Sequence, residues 1–595
     1  MCESTNSVAG RRRGGGTWRR WWLAPLMMLG WALGATASGE IVSDFAMDSD
    51  PQVEIPDPVW TFPPRSRVLW IEALGRPEKD VQRQAAETIA QAHGYNVPGL
   101  IDAAPDLARV LVAEETHPAA RFACARALVV LDARDWAQAL LEGSQAHGSD
   151  LRQLVEPVLG RWRFEPIIPL WRKRLAETTG HRDLLLAISG LAEVQDAASV
   201  EPLLAMSRDR THSRATRLAA ARAVGHILSE GQESEVGRWL EPDSPPLFNR
   251  LCAVGLLQRH SSQEAQTILL RLADDPEPTV AAAALVALNA IDYELVTPRA
   301  VQTMLNPDAN IREQGLIAYL ERMTPQRAQA AAERLDDPHP RLRIRAREAL
   351  YALCATPELD GPIREAAMQV LAGAGWRGQE QAALLLGALE HKPAAGRLVE
   401  LLESTRPEVM VASAWGLRKV AVPDVLPQIL DKAARQTEWR KNNAPGPELD
   451  AQVAHLFETL GRMRYQPADA LMRTYVPKEM TMGEYSRSAA IYGLGYLRAG
   501  TADERLGAQL VERLTESPAA MPPEFTRVRM ACGISLARMK LKSQVQPLRD
   551  FMGIMGTQQG KAAIRWAIME LTGETLLPIE PLTQSRSGWF LEPLD

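Results

Sequence analysis

Cysteine is scarce in this sequence, five residues in 595. Four of them, Cys124, Cys252, Cys354 and Cys532, lie in helical stretches among Ala, Leu or Gly, far from one another. A disulfide framework in an exported protein shows closer, paired spacings, so these four read as small apolar core residues. Histidine is nearly as thin, with ten residues and none three or four positions from another. There is no CxxC, HExxH or CxxCH, hence no recognisable metal centre and no covalent haem attachment. A Walker loop is missing, and so is a GxGxxG turn ahead of a helix. The glycine clusters "GYLRAG" and "GAGWRG" end helices instead. "GISLA" lacks the second Gly of a nucleophile elbow. The carboxylate pairs Asp274-Asp275 and Asp336-Asp337 sit in turns, where helix capping accounts for them. No catalytic, cofactor-binding or metal-ligating residue is assigned. Aromatics make up only 6% against abundant Ala and Leu, which favours helix over sheet.

An excess of cations is missing too. The net charge is −6; residues 1–37 hold five Arg and one Glu, so the remainder carries −10, which is −6 less +4. Such a chain has no global attraction for nucleic acid or anionic lipid. Arg11, Arg12, Arg13, Arg19 and Arg20 precede the apolar run "WWLAPLMMLGWALG" and the small residues "ATAS". This is the layout of a secretory signal peptide over residues 1–37, cut after Ala37. The alternative is an uncleaved N-terminal membrane anchor. Trp21 to Ala37 is 17 residues with Pro25 and two Gly, short of the ~20 that a span needs. "RRWWL" loosely resembles a twin-arginine signal, although Trp18 rather than a polar residue precedes the pair. Export by either route puts the mature chain in the periplasm or outside the cell, with no membrane contact after cleavage.

What the sequence has in quantity is repetition. In "TRLAAARAVGHI" (Thr216 to Ile227), Arg217 stands near the start and Ala220, Ala221, Ala223, Val224, Gly225 and Ile227 follow. Equivalent marker positions fall at Arg121, Arg152, Leu184, Arg217, Asn249, Ala281, Arg312 and Arg343, in steps of 31 to 33. Less regular steps continue through Gln379, Met410, Val453, Arg487, Arg529 and Lys561, and a weaker copy starts at Gln82. Positions three, four, six and seven after the marker share one broad helical face. Small residues there let helices approach closely. Each marker helix follows another amphipathic helix, with Asp, Asn or Pro at the turn between them, as at Asp275-Pro276, Asn306-Pro307 and Asp337-Pro338. One such pair cannot bury its apolar face; a stack of pairs makes a continuous core.

"TRLAAARAVGHI", "VRMACGISLARM" and "LRIRAREALYAL" resemble HEAT repeats. The short step is most similar to the HEAT-like subclass first associated with phycobilin lyases. The resemblance covers residues 66–575 and implies an all-α fold, a right-handed α-solenoid of about 14–15 HEAT-like hairpins. It also implies first helices on the convex face and second helices on the concave face. Arg121, Arg152, Arg217, Arg312, Arg343, Arg487 and Arg529 match the family's recurring arginine, which joins a scaffold ladder with Asp or Asn of adjoining turns. Leu184, Ala281, Gln379, Met410 and Val453 depart from it, so the ladder is interrupted.

Outside the array, residues 38–65 are acidic and Pro-rich without helical period and read as a flexible or extended lead. Residues 576–595 form an extended tail whose Trp589-Phe590-Leu591 cluster is expected to cover the last repeat. Three intra-repeat turns are lengthened: "WRKNNAPGPELD", "YVPKEMTMGEY" and "ESPAAMPPEF". They precede the second helices of successive repeats, so they project from one edge. Trp439, Tyr475, Met480, Met482, Tyr485, Met521 and Phe525 are the candidate partner-binding rim; the alternative is that these loops pack on one another. The expected function is a non-enzymatic, exported scaffold for protein–protein interaction or assembly, with a protein partner, no cofactor and no nucleic acid. The resemblance also implies an alternative, an enzyme or chaperone of the bilin-lyase type acting on a protein-bound chromophore. A DNA-acting HEAT protein of the glycosylase kind is disfavoured by the acidic charge.

Overall fold

The computed structural model describes residues 44–592 except 64, 178–179, 242–244, 444–445, 480–481, 518, 555–556 and 586–587. The signal segment and the first part of the lead lie outside the described residues. From Ser66 to Thr572 the chain forms fifteen consecutive helical pairs. Each second helix carries one marker position, from Gln82 in Lys79–His93 to Lys561 in Gln558–Thr572. In thirteen of the fifteen the marker is the fourth helical residue; Asn249 is third in Leu247–Leu257 and Val453 seventh in Pro447–Arg462. The fold is a HEAT-like α-solenoid.

The second helices stack on one another more closely than the first helices do, so they line the inner face of the curve. The residue eight after one marker meets the residue six after the next. Gly225 faces Gly255 in this way, and a Cβ on Gly225 would lie 2.2 Å from the Gly255 carbonyl oxygen. The same pairing brings Gly387 to Gly416 and Gly461 to Gly493. It places Val453 in register although its helix starts a turn early. Ala220, Ala221 and Val224 are fully buried in this contact layer.

The turn between repeats follows one rule that the glycine pattern did not announce. The residue eleven after the marker takes a left-handed conformation in seven repeats: Asp132, Arg163, Gln195, Glu390, Ala421, Arg464 and Lys540, with φ between 46° and 62°. In most of them the next N–H bonds the carbonyl five residues back, as Phe164 does to Leu159 and Tyr465 to Leu460. This is the Schellman closure of a helix end. None of the seven is glycine, so packing of the next helix holds a conformation that is unfavourable for an L-residue.

The marker arginines tie either adjoining repeats or the two helices of their own repeat. Arg152 makes a double bond pair to Asp183 at 3.0 and 2.8 Å, and Arg312 does the same to buried Asp337 at 2.8 and 2.9 Å. Arg121, Arg217, Arg343 and Arg529 donate to carbonyls of the preceding helix end or turn. Asp275, Asn306 and Asp337 each accept from the N–H two residues on, which shapes the intra-repeat turn.

The chain ends depart from expectation. Gln558 and Arg565 of the last helix donate to carbonyls of Glu580, Leu576 and Leu577, so the tail begins on the last repeat. Its aromatic cluster does not stay there. Trp589 packs on Phe62, Trp70 and Tyr95, and the Trp70 indole donates to the Phe590 carbonyl. The tail therefore covers the first repeat. Among the described residues no repeat precedes the helix Ser66–Leu74, and Trp70 on it is covered by the tail. Strands β1 (Val59–Thr61) and β2 (Thr583–Ser585) pair in parallel beside this contact. The lead runs the other way: Phe45, Ala46 and Met47 are buried in the core of the C-terminal repeats.

Candidate functional site

Positions five and nine after a marker share one row of the second helix, since residues four apart face the same side. In Pro407–Val420 they are Trp415 and Lys419; in Pro447–Arg462, Glu458 and Arg462. In Glu484–Leu497 they are Tyr492 and Tyr496; in Thr526–Arg538, Ile534 and Arg538. Four stacked helices thus put cations and aromatic rings on one inner surface. Residues Asp44 to Asp50 of the lead lie across it.

Each acidic side chain of that segment meets a cation. Asp44 pairs with Arg418 at 3.3 Å and Lys419 at 3.2 Å. Asp48 takes two bonds from Arg527, at 2.8 and 3.1 Å. Asp50 pairs with Arg538 at 3.0 Å and accepts from the Tyr492 hydroxyl at 2.6 Å and from Tyr496. Phe45, 2% exposed, is stacked between His455 at 4.6 Å and Tyr485 at 4.8 Å, with the Arg527 guanidinium 6.0 Å from its ring. The Met47 N–H donates to the Glu458 carboxylate at 2.8 Å. Glu458 and Arg418 are themselves buried and 3.4 Å apart, forming a polar floor.

Partial burial by itself raises the carboxyls of Asp44 and Asp50. The cations at Asp44, and the two hydroxyls with Arg538 at Asp50, outweigh it and hold both below their ordinary value of 3.8. Burial, followed by the Asp50 carboxylate, pushes the phenols of Tyr492 and Tyr496 up. A depressed carboxyl contributes to docking above its ordinary value and loses that contribution as pH falls through the depressed one. The segment is therefore expected to stay docked from pH 7 to about 4 and to loosen below. Hydrogen exchange at residues 44–50, relative to helix Glu484–Leu497, measures it; unchanged protection at pH 2.5 would show that the ion pairs do not hold the segment.

The structure disperses the rim predicted from the lengthened turns. Tyr475 is fully buried: its hydroxyl meets the Thr437 hydroxyl at 2.7 Å and its ring stands edge-on to Phe457 at 4.8 Å. Met482 is 5% exposed. Both correct the expectation, because the longer connection folds inward to fill space between repeats. Tyr485 belongs to the inner groove, against Phe45. Met521 and Phe525 are exposed at the third connection, and Trp439 is exposed on helix Leu426–Asn442. Met480 lies outside the described residues. The second and third connections do pack together: Lys478 donates to Glu516 and the Pro522 carbonyl. Arg487 and Glu524, both buried, form a double ion pair at 2.7 and 2.8 Å.

Sequence reasoning missed the lead segment and its groove. The signal is present in the basic and aromatic residues five and nine after the last markers, but its partner is an acidic, Pro-rich stretch that shows no period of its own. The four cysteines are free thiols, and burial pushes Cys124, Cys252 and Cys354 up to about 12, far from a reactive thiolate at neutral pH. Among the described residues no group of three His, Cys, Asp or Glu is placed to hold a metal ion, and no helix is long and apolar enough to cross a membrane.

No family model matches the sequence, and no curated protein matches it. Solved structures do. The chain is similar to Kap95p in its structure with RanGDP, at TM-score 0.50 and 12% identity, over 85% of this chain and 72% of that one. Importin beta matches over the same shares at TM-score 0.49 and 12% identity. Kap121p matches 85% of this chain and 56% of its own, at TM-score 0.49 and 11% identity. At such low identity the likeness to Kap95p speaks for the fold alone, and that fold is the HEAT-repeat α-solenoid.

Proposed function

We propose that this chain is an exported, non-enzymatic scaffold that holds a protein partner on the inner face of its C-terminal repeats. One observation carries the reading: four adjacent inner helices already hold a seven-residue segment, with every acidic side chain paired and one aromatic ring buried. Stacked helical repeats create an extended concave surface suited to binding another chain. Kap95p, whose fold is similar, is described with a protein ligand, RanGDP. The layout of residues 1–37 supports export.

The test is capture of partners from the exported fraction of native cells. The double charge reversal Arg527→Glu with Arg538→Glu is expected to reduce capture at least tenfold, while Trp439→Ala with Met521→Ala changes it little. Captured chain should begin at Ser38. Equal capture by all three proteins sinks the groove as the binding face, and an intact N-terminus in the membrane fraction replaces export with anchoring.

A further inference from the structure

We infer that the inner groove recognises a short acidic segment with one aromatic anchor, spaced Asp-Phe-x-x-Asp-x-Asp, on a partner protein, and that residues 44–50 are its intramolecular stand-in, displaced when the partner binds. This rests on the proposed scaffold function and names the chemistry of the partner.

Charge comes first. The groove presents Arg418, Lys419, Arg462, Arg527 and Arg538 against Glu458 and Glu484, five cations less two carboxylates, or +3; "DFAMDSD" carries −3. The match is resolved side chain by side chain, at Asp44, Asp48 and Asp50. The second point is the slot. His455 and Tyr485 lie nearly parallel to the Phe45 ring, at 23° and 21°, and Arg527 also stands 4.8 Å from the Tyr485 ring. Such a slot accepts a flat ring and offers nothing specific to a branched aliphatic one.

The third point is how little of the docking depends on the segment being part of this chain. The groove reaches its backbone through side chains: Glu458 takes the Met47 N–H, Arg418 bonds the Asp44 carbonyl, and Arg538 bonds the Asp50 carbonyl. Any peptide that takes the same turn presents those groups. Only the three-residue turn Ala46–Asp48 is regular within the segment. Residues 52–58, with Pro56 and Pro58, have no regular structure before β1 begins at Val59, so release of 44–50 disturbs nothing beyond that short turn. A short tether holds its own segment at an effective concentration on the order of millimolar. A partner segment must outcompete that, so weakening the lead exposes the site.

The experiment uses the full chain and a labelled peptide of residues 41–53, "IVSDFAMDSDPQV", followed by fluorescence anisotropy. Two lead-weakened chains are compared with the intact one: Phe45→Ala, and separately Asp48→Asn with Asp50→Asn, which leaves the buried ring in place if the first variant fails to fold. Each is expected to bind the peptide at least tenfold more tightly than the intact chain. Adding Arg527→Glu, or replacing the peptide's Phe by Ala, should weaken binding at least tenfold. Equal binding by intact and weakened chains, absence of binding by both weakened chains, or indifference to Arg527→Glu overturns the inference. A dimer of the intact chain at the same concentrations also overturns it, since the occupant would be a second copy's lead. Groove-dependent capture of a partner without peptide binding sinks this inference alone. Peptide binding without groove-dependent capture sinks the scaffold reading alone.

Discussion

Replacing Gly225 by Ala is expected to destabilise its part of the solenoid by about 3 kcal/mol, while the same replacement at Gly237, in the following helix, adds about 0.5 kcal/mol. The difference lies in what a methyl group meets. At Gly225 it would lie 2.2 Å from the Gly255 carbonyl oxygen and 2.4 Å from that of Leu256. Both are backbone atoms of helix Leu247–Leu257. No rotamer change relieves such a contact, so the whole helix must move away, and the buried layer around Ala221 and Val224 opens with it. At Gly237 nothing lies within 4 Å of the added methyl. There the gain is the lost freedom of the unfolded chain plus a better helix former. A long repeat array does not unfold as one unit, so the measurement is hydrogen exchange confined to residues 214–257. Shifts of the same sign at both positions would show that the second helices do not touch through Gly225.

Glu524→Ala is expected to cost about 3–5 kcal/mol, although the residue stands in one of the lengthened connections. Its side chain is fully buried and its partner Arg487 is 1% exposed. Burial works to raise the Glu524 carboxyl, but the two bonds from Arg487 outweigh it and keep it below its ordinary value. Truncating the acid leaves a buried guanidinium whose remaining bond, to the Tyr475 carbonyl, is 3.4 Å long. An uncompensated charge in that place is the reason for the large figure. Replacing both partners by apolar residues of similar size, Arg487→Met with Glu524→Leu, should return to within about 1 kcal/mol of the parent, because neither charge is then stranded. A double-mutant cycle on the C-terminal unfolding transition decides it. If the double variant loses as much as the two single variants summed, the pair is not coupled and the connection is held by something else.

That pair belongs to the alternative in which the lengthened turns pack on one another. Lengthened turns admit two readings, an outward rim that carries function or loops packed on one another, and length alone does not choose between them. Here the second connection carries Tyr475, which has a large apolar ring and one hydroxyl. Once Thr437 was within reach of that hydroxyl, burial satisfied both. Nothing in "YVPKEMTMGEY" distinguishes Tyr475, which went inside, from Tyr485, which faces the groove. Met482 and Met521 differ only in which neighbours their backbone placed beside them.

The sequence by itself determined the repeat. A helix repeats every 3.6 residues, so an apolar face, a marker and a turn are local facts that each repeat states again. The register at Arg121 through Lys561 and the small residues of the contact layer were legible for that reason, whereas the tie between repeats at Arg152 and Arg312 was implied only by the resemblance to HEAT repeats. Even Val453, whose helix begins a turn early, kept its place, because the following residues still had to meet Gly493. Only the tertiary structure decided where the two ends go. The Arg418 bond to the Asp44 carbonyl spans 374 residues, that of Arg538 to Asp50 spans 488, and that of Trp70 to Phe590 spans 520. Such contacts depend on the path of the whole superhelix, which accumulates from a small rotation per repeat. No single repeat contains that sum, so an acidic lead with no period of its own gave no sign of the cationic groove four helices wide that receives it.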